Sequence, residues 1–437
     1  MSAIPRNILA NALGGGWIVA LNLLVIPVQV RILGTEAYGM LGILAALQLF
    51  FSVLDLGGGA TLLQRIATDA SPERRLARPL FGAAVAVYGA IAISAVALLV
   101  ANANWLADHW IRRSALATDV VVDGLLLIFA AVLLRCPTLL CSALLSGLNR
   151  LDILNALRAG TQSLRQLGGI AVLLVRGDLL SLLLWEVIVS ALEFGLFYGV
   201  SRRLLPGLSL RPRWPAEAIR GCWRYALGMN AIYVIALLLT QTDKLAISRL
   251  LSLEALGIYH LAYSLTAWIA LIQGGFNSAV LPSLAADSAH ARHTQLRTRH
   301  NKSTRLTVYA VALPATAIMF FPAELMGTWL DGETTRAAAT TVSLLAAGFL
   351  LNAAVSNCLT VAVAAGDSGL PLRINLAGLA IYLPALAWLL DRYGLAGAAL
   401  AWIALNAYYL AALVPVVQRC HLQQTTAAWW GENFLPF

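Results

Sequence analysis

Charge is what this chain has least of. Only 12% of its 437 residues are Asp, Glu, Lys or Arg, while 60% are apolar. A water-facing shell needs about a quarter charged residues, so a soluble globular fold is excluded and lipid becomes the expected solvent. Lysine is nearly missing: Lys244 and Lys302 are the only two, and neither follows a glycine. A phosphate-cradling loop of the Gly-Lys-Ser/Thr kind is therefore ruled out, and ATP hydrolysis by this chain with it. Cysteine is sparse and odd in number (Cys136, Cys141, Cys222, Cys358, Cys420), which implies no disulfide framework. The six histidines lie in loops, apart from His260 near the outer end of a span, and show no metal-ligand spacing. The outer segments are short, the longest being residues 102–119, so a polymerase or ligase has nowhere to carry outer catalytic groups. The expectation is a protein that is no enzyme, with no metal and no cofactor, leaving proton or sodium coupling open.

What fills the chain instead is apolar runs of membrane-spanning length. A hydrocarbon core about 30 Å thick takes roughly 20 residues of helix, and backbone groups that lipid cannot satisfy leave only helices or closed barrels. The runs are too long and continuous for barrel strands. Spans are expected at 8–30, 38–57, 79–101, 120–146, 153–175, 179–200, 224–248, 257–285, 304–323, 338–363, 371–390 and 394–417. The first run exceeds a signal-peptide core and completes a six-plus-six pattern, so it is read as a helix. With the amino terminus inside, 20 of the 30 Lys and Arg residues fall on the cytoplasmic side and 7 outside. This positive-inside bias predicts both termini in the cytoplasm and explains the net charge of +9 without a nucleic-acid partner.

Shifting the chain by 218 residues lays Arg31, Glu36, Ala37 and Gly39 over Arg249, Glu254, Ala255 and Gly257. The ungapped match continues through Gly57 with Gly275, Ala67 with Ala285 and Asp69 with Asp287. Duplication follows: a six-helix lobe over 1–204, a linker over 205–222 containing Pro206, Pro212 and Pro215, and a second lobe over 223–437. An even number of spans per copy relates the lobes by a pseudo-two-fold along the membrane normal.

Ionisable groups at membrane depth are the candidate site, because each must face protein, water or a partner. Arg135 and Arg165 lie near the middle of the fourth and fifth spans. Glu186 and Glu193 on the sixth are seven apart, hence on one face, with Ser190 between them. Two readings stand: structural ion pairs among these four, or guanidiniums turned to a cavity, where their planar fork suits a phosphate. Pro137 beside Arg135 removes a backbone donor and predicts a bend. Asp243 and Lys244, as consecutive residues, are expected to point apart and not to pair; either is a candidate for coupling, as is Asp55 at the inner end of the second span. Gly14, Gly15 and Gly16 strip side chains from most of a turn of the first span, for close packing or bending.

The segments Val30 to Gly42, Leu54 to Gly57, Gln64 to Ala67, Thr242 to Tyr259 and Val280 to Leu284 resemble the polysaccharide transporter (Wzx-type) family of lipid-linked oligosaccharide flippases. That family lies within the multidrug, oligosaccharidyl-lipid and polysaccharide exporter superfamily. The resemblance implies an all-α, MATE-like fold of about twelve helices in two lobes forming a V. It also implies movement of a polyprenyl-pyrophosphate-linked repeat unit from the cytoplasmic to the outer leaflet of a bacterial inner membrane, with membrane lipids and the polysaccharide polymerase machinery as further partners. A cation-coupled multidrug or metabolite exporter of the same fold is the alternative, with Asp55 or Asp243 as its ion site.

Overall fold

The computed structural model describes residues 3–53, 77–112, 115–148, 150–211, 223–327, 331–367 and 369–434. Helix is the only regular element among them. The long helices are α1 (Ala3–Val53), α2 (Ala77–Ala101), α3 (Thr118–Gly147), α4 (Leu151–Arg176), α5 (Leu179–Leu204), α6 (Trp223–Leu250), α7 (Leu253–Ala289), α8 (His293–Phe320), α9 (Gly332–Ala364) and α10 (Gly369–Cys420), with a short α11 (Thr426–Asn433) at the end. Two of these each hold a pair of expected spans. Gly34, at φ 78°, breaks α1, and Gly394, at φ 57°, breaks α10. Both lie in the region that an L side chain enters only at a cost, which is why glycine stands at each break. Among the described residues, eight helices are long and apolar enough to cross a membrane. The 26-residue α4 is outside that set because Arg158, Thr161, Gln162, Arg165 and Gln166 interrupt its apolar surface.

The chain forms two compact units, Met1–Leu237 with Ser252–Gly257, and Leu238–Leu251 with Ile258–Phe437. The first has a core of Phe81, Leu140, Leu144, Leu154 and Phe197. The second is centred on Leu284, Val355, Val361, Val414 and Trp429. Lipid-facing rows are visible by their exposure: on α5, Leu184, Ile188, Leu192 and Leu196 recur every four residues, so the opposite side of that helix is free to carry polar groups.

Within the first unit the two segments aligned by the 218-residue shift meet each other. A methyl group on Gly39 would overlap the carbonyl oxygen of Leu253, and one on Gly257 would overlap that of Thr35. The two contacts are related by the same 218-residue shift. Glu36 of the motif is buried, and its Oε2 accepts from the backbone N–H of Ala115 at 2.7 Å and Leu116 at 3.3 Å. Burial of a carboxylate requires such donors, so Glu36 pins a connecting segment.

Three amide side chains in the second unit bond in series. Gln273 donates to Asn352 at 2.9 Å, Asn352 to Asn406 at 2.7 Å, and Asn406 to the Trp402 carbonyl at 2.8 Å. This amide chain ties α7, α9 and α10 together where no water competes.

Candidate functional site

A two-residue turn builds the charged cluster of the first unit. Gly177 ends α4 in the left-handed conformation, at φ 72°, and Asp178 caps α5 by accepting from the Ser181 N–H at 2.8 Å. The two helices therefore run antiparallel from that point. Counting equal steps from the turn sets Arg165 opposite Ser190, midway between Glu186 and Glu193. The side chains meet accordingly: Arg165 Nη1 donates to Glu186 Oε2 and, at 3.3 Å, to Ser190 Oγ, while Nη2 donates to Glu193 Oε2 at 2.7 Å. Thr161 Oγ1 donates to Glu193 Oε1 at 3.3 Å. Trp185 packs closely against Gly168 and donates from Nε1 to the Arg165 carbonyl at 3.2 Å, which joins the helix pair.

Arg165 is 5% exposed and both its ends are taken. It is the ion-paired member of the cluster. Arg135 stands apart: its Nε is 3.9 Å from Glu193 Oε2, and 31% of its side chain is exposed. It opens into a cavity of about 490 Å³ within the first unit, which Gln48, Thr138, Arg158, Gln162 and Glu193 also line. The cavity thus presents two guanidiniums against one carboxylate, and that carboxylate is already bonded to Arg165. Pro137 sits within α3, two residues from Arg135.

Arg158 was not foreseen. Near the start of α4 it counts toward the inner positive charge, and only its spacing of seven from Arg165, one helical face, pointed to the cavity. Beside it, Asn22 Oδ1 accepts from Gln162 at 3.1 Å and from Gln166 at 2.7 Å. Ser163 accepts from the Trp17 indole at 2.8 Å. The polar stripe of α4 is therefore continuous with α1, giving neutral amides next to the cationic pair. In the lining itself, Gln48 and Gln162 carry groups that can bond hydroxyls, and the two guanidiniums carry donors that suit an anion.

In the second unit Asp243 and Lys244 are 5% and 3% exposed. The expectation that they point apart is corrected. Asp243 Oδ1 accepts from the backbone N–H of Lys244 at 2.8 Å and lies 3.4 Å from its Nζ, because the flexible lysine stem folds back along α6. Nζ also donates to the Thr240 carbonyl at 3.0 Å and sits 3.8 Å from the centre of the Tyr263 ring, a cation–π arrangement strengthened by desolvation. Tyr259 donates to Asp243 Oδ2 at 2.6 Å. Each charge is neutralised within this cluster. Asp55 lies outside the described residues, as do Gly57, Ala67 and Asp69 of the repeat and residues 212–222 of the linker. Among the described residues no three His, Cys, Asp or Glu side chains gather as a metal set.

The family described as polysaccharide biosynthesis protein matches residues 4–286. No curated protein matches the chain in sequence. Similar solved structures include an inward-facing multidrug resistance MATE family transporter of the MOP superfamily, at TM-score 0.76 and 12% identity, covering 90% of this chain and 93% of that one. The lipid II flippase MurJ in an inward closed conformation aligns at TM-score 0.74 and 12% identity, over 93% of this chain and 87% of that one. The MATE multidrug transporter DinF-BH in complex with R6G aligns at TM-score 0.67 and 15% identity, over 96% and 97%. Identities this low carry the fold alone, and the fold is that of MATE-like transporters.

Proposed function

Because the chain belongs to the polysaccharide biosynthesis protein family and is a multi-pass membrane protein with a transporter fold, we propose that it flips a polyprenyl-pyrophosphate-linked oligosaccharide. The movement is from the cytoplasmic to the outer leaflet of a bacterial inner membrane, by alternating access, with both termini cytoplasmic and no enzymatic step. The observation that carries this reading is the cavity of the first unit, where Arg135 and Arg158 stand together and Arg165 is held by two carboxylates. Over the five charged groups, three arginines against Glu186 and Glu193, one positive charge is left for an anion. A guanidinium pair grips a pyrophosphate in forked fashion, while Gln48 and Gln162 of the lining offer amide groups to sugar hydroxyls. Glu186 and Glu193 act in this reading through Arg165, setting its position and the charge of the cavity. Asp243 and Lys244, with Asp55, are the candidates for proton or sodium coupling, and the polymerase machinery is the natural recipient of the product.

The test is loss of the gene followed by thin-layer analysis of polyprenyl-linked sugars. Accumulation of the lipid-linked unit with loss of surface polysaccharide is expected; an unchanged lipid pool and an unchanged surface remove the proposal. A cation-coupled exporter of small molecules is the second reading, favoured by the buried Asp243–Tyr259–Lys244 cluster. It predicts instead that resistance to a drug or metabolite falls while surface polysaccharide stays intact.

A further inference from the structure

The basic run from Arg292 to Arg305 is more than a topology signal. It forms the first half of α8, and one face of that helix borders a cavity of about 330 Å³ in the second unit. Thr294, Arg297, Thr298, Asn301 and Arg305 line it from α8, and Glu432 of α11 closes it. Glu432 is fully used: one oxygen bonds to Arg297 and the other accepts from Asn301 Nδ2 at 2.5 Å. Arg305, half-buried at the far end of the same face, has no ion-pair partner among the described residues. A half-buried guanidinium in a polar hollow, with a second arginine two turns away and a single carboxylate between the two charges, is a receptor for an oxyanion.

The height of the hollow identifies the anion. Directly after Arg305, α8 becomes lipid-facing: Leu306 is 46% exposed, and Tyr309, Leu313 and Phe320 continue the exposed row. On α11, the helix that supplies Glu432, Trp429 is fully buried in the core of the second unit, while its neighbour Trp430 is 39% exposed and packs against Phe434 at 4.7 Å between ring centroids. Half-exposed tryptophan beside Arg and Thr marks the level of lipid headgroups. We propose that this cavity binds the phosphodiester of an anionic glycerophospholipid, with Arg305 as the principal contact and the Arg297 guanidinium adding positive charge to the same face. The site is separate from the cavity of the first unit, and its occupation does not depend on what that cavity carries.

The experiment is native mass spectrometry of the full chain in detergent, titrated with phosphatidylglycerol or phosphatidylcholine. Wild-type protein should retain phosphatidylglycerol and not phosphatidylcholine. Arg305→Gln should bind phosphatidylglycerol about tenfold more weakly, the order expected for one charge-assisted contact. Arg305→Lys, which keeps the charge and loses the fork, should fall between the two. Lys302→Gln removes the same charge from an exposed position on the same helix, outside the cavity lining, and should bind as wild type does. Undiminished retention by Arg305→Gln overturns the proposal, as does an equal loss in Lys302→Gln. Complete displacement of phosphatidylglycerol by millimolar inorganic phosphate overturns the assignment to a lipid, since a soluble anion would then suffice.

Discussion

Arg135 and Arg165 have the same chemistry and similar depth, yet opposite consequences are expected when each is neutralised. Arg165 is 5% exposed and its guanidinium joins Glu186, Ser190 and Glu193. Arg165→Gln leaves two carboxylates in a site built for a cation, with only Arg135, at 3.9 Å from Glu193, to offset them. Breaking a buried pair from one side costs about 3–5 kcal/mol, a large part of the roughly 5–15 kcal/mol that holds a domain folded. Arg135→Gln removes a side chain that is 31% exposed and only loosely paired, and such pairs are worth at most about 1 kcal/mol. The assay is fluorescence-detected gel filtration of membrane extracts across a heating series, run beside complementation of a deletion strain. Arg165→Gln should lose folded protein, and the double variant Arg165→Gln with Glu186→Gln, which restores the charge balance, should regain more than half of it. Arg135→Gln should be as abundant as wild type and fail to complement. Equal abundance of the two single variants would refute the division between an ion-paired and a cavity-facing arginine.

Other outcomes follow from the same geometry. Arg158→Gln should behave as Arg135→Gln does, with normal abundance and lost surface polysaccharide. Gly257→Ala should destabilise by about 1–3 kcal/mol through overlap with the Thr35 carbonyl, whereas Gly16→Ala, with nothing near the added methyl, should leave heat stability unchanged. Asp331 caps α9 by accepting from the N–H groups of Glu333 and Thr334, and the Thr334 N–H above all holds its carboxyl below the usual 3.8. A lowered carboxyl contributes stability that is present above that value and disappears as pH falls through the folded one. Asp331→Ala should therefore cost about 1 kcal/mol at neutral pH, and the gap from wild type in a thermal-shift series should close in strong acid. Trp429→Ala should cost about 3–5 kcal/mol, read as loss of folded protein on gel filtration, because the whole ring is in the core.

The membrane spans were legible because hydropathy is a property of long runs, and no tertiary contact is needed to read it. The grouping of Arg165 with Glu186 and Glu193 was legible for a related reason: a seven-residue spacing fixes a helical face, and a short turn fixes which faces meet. Arg158 escaped because a charge within two turns of a helix end is explained equally well by reach to the headgroups. The Asp243–Lys244 pair escaped because helical spacing describes where Cβ atoms point, not how far a four-carbon stem can return. The amide chain through Gln273, Asn352 and Asn406 has no periodic signature, since its members lie on three helices and meet only when those helices pack.

The reciprocal glycine contact constrains both of its sides at once. Gly39 has no room for a side chain because backbone near Leu253 passes against it, and Gly257 has none because of backbone at Thr35. An enlargement at either position must be answered by a retreat of the chain opposite, so two glycines far apart in sequence are tied to a single spacing.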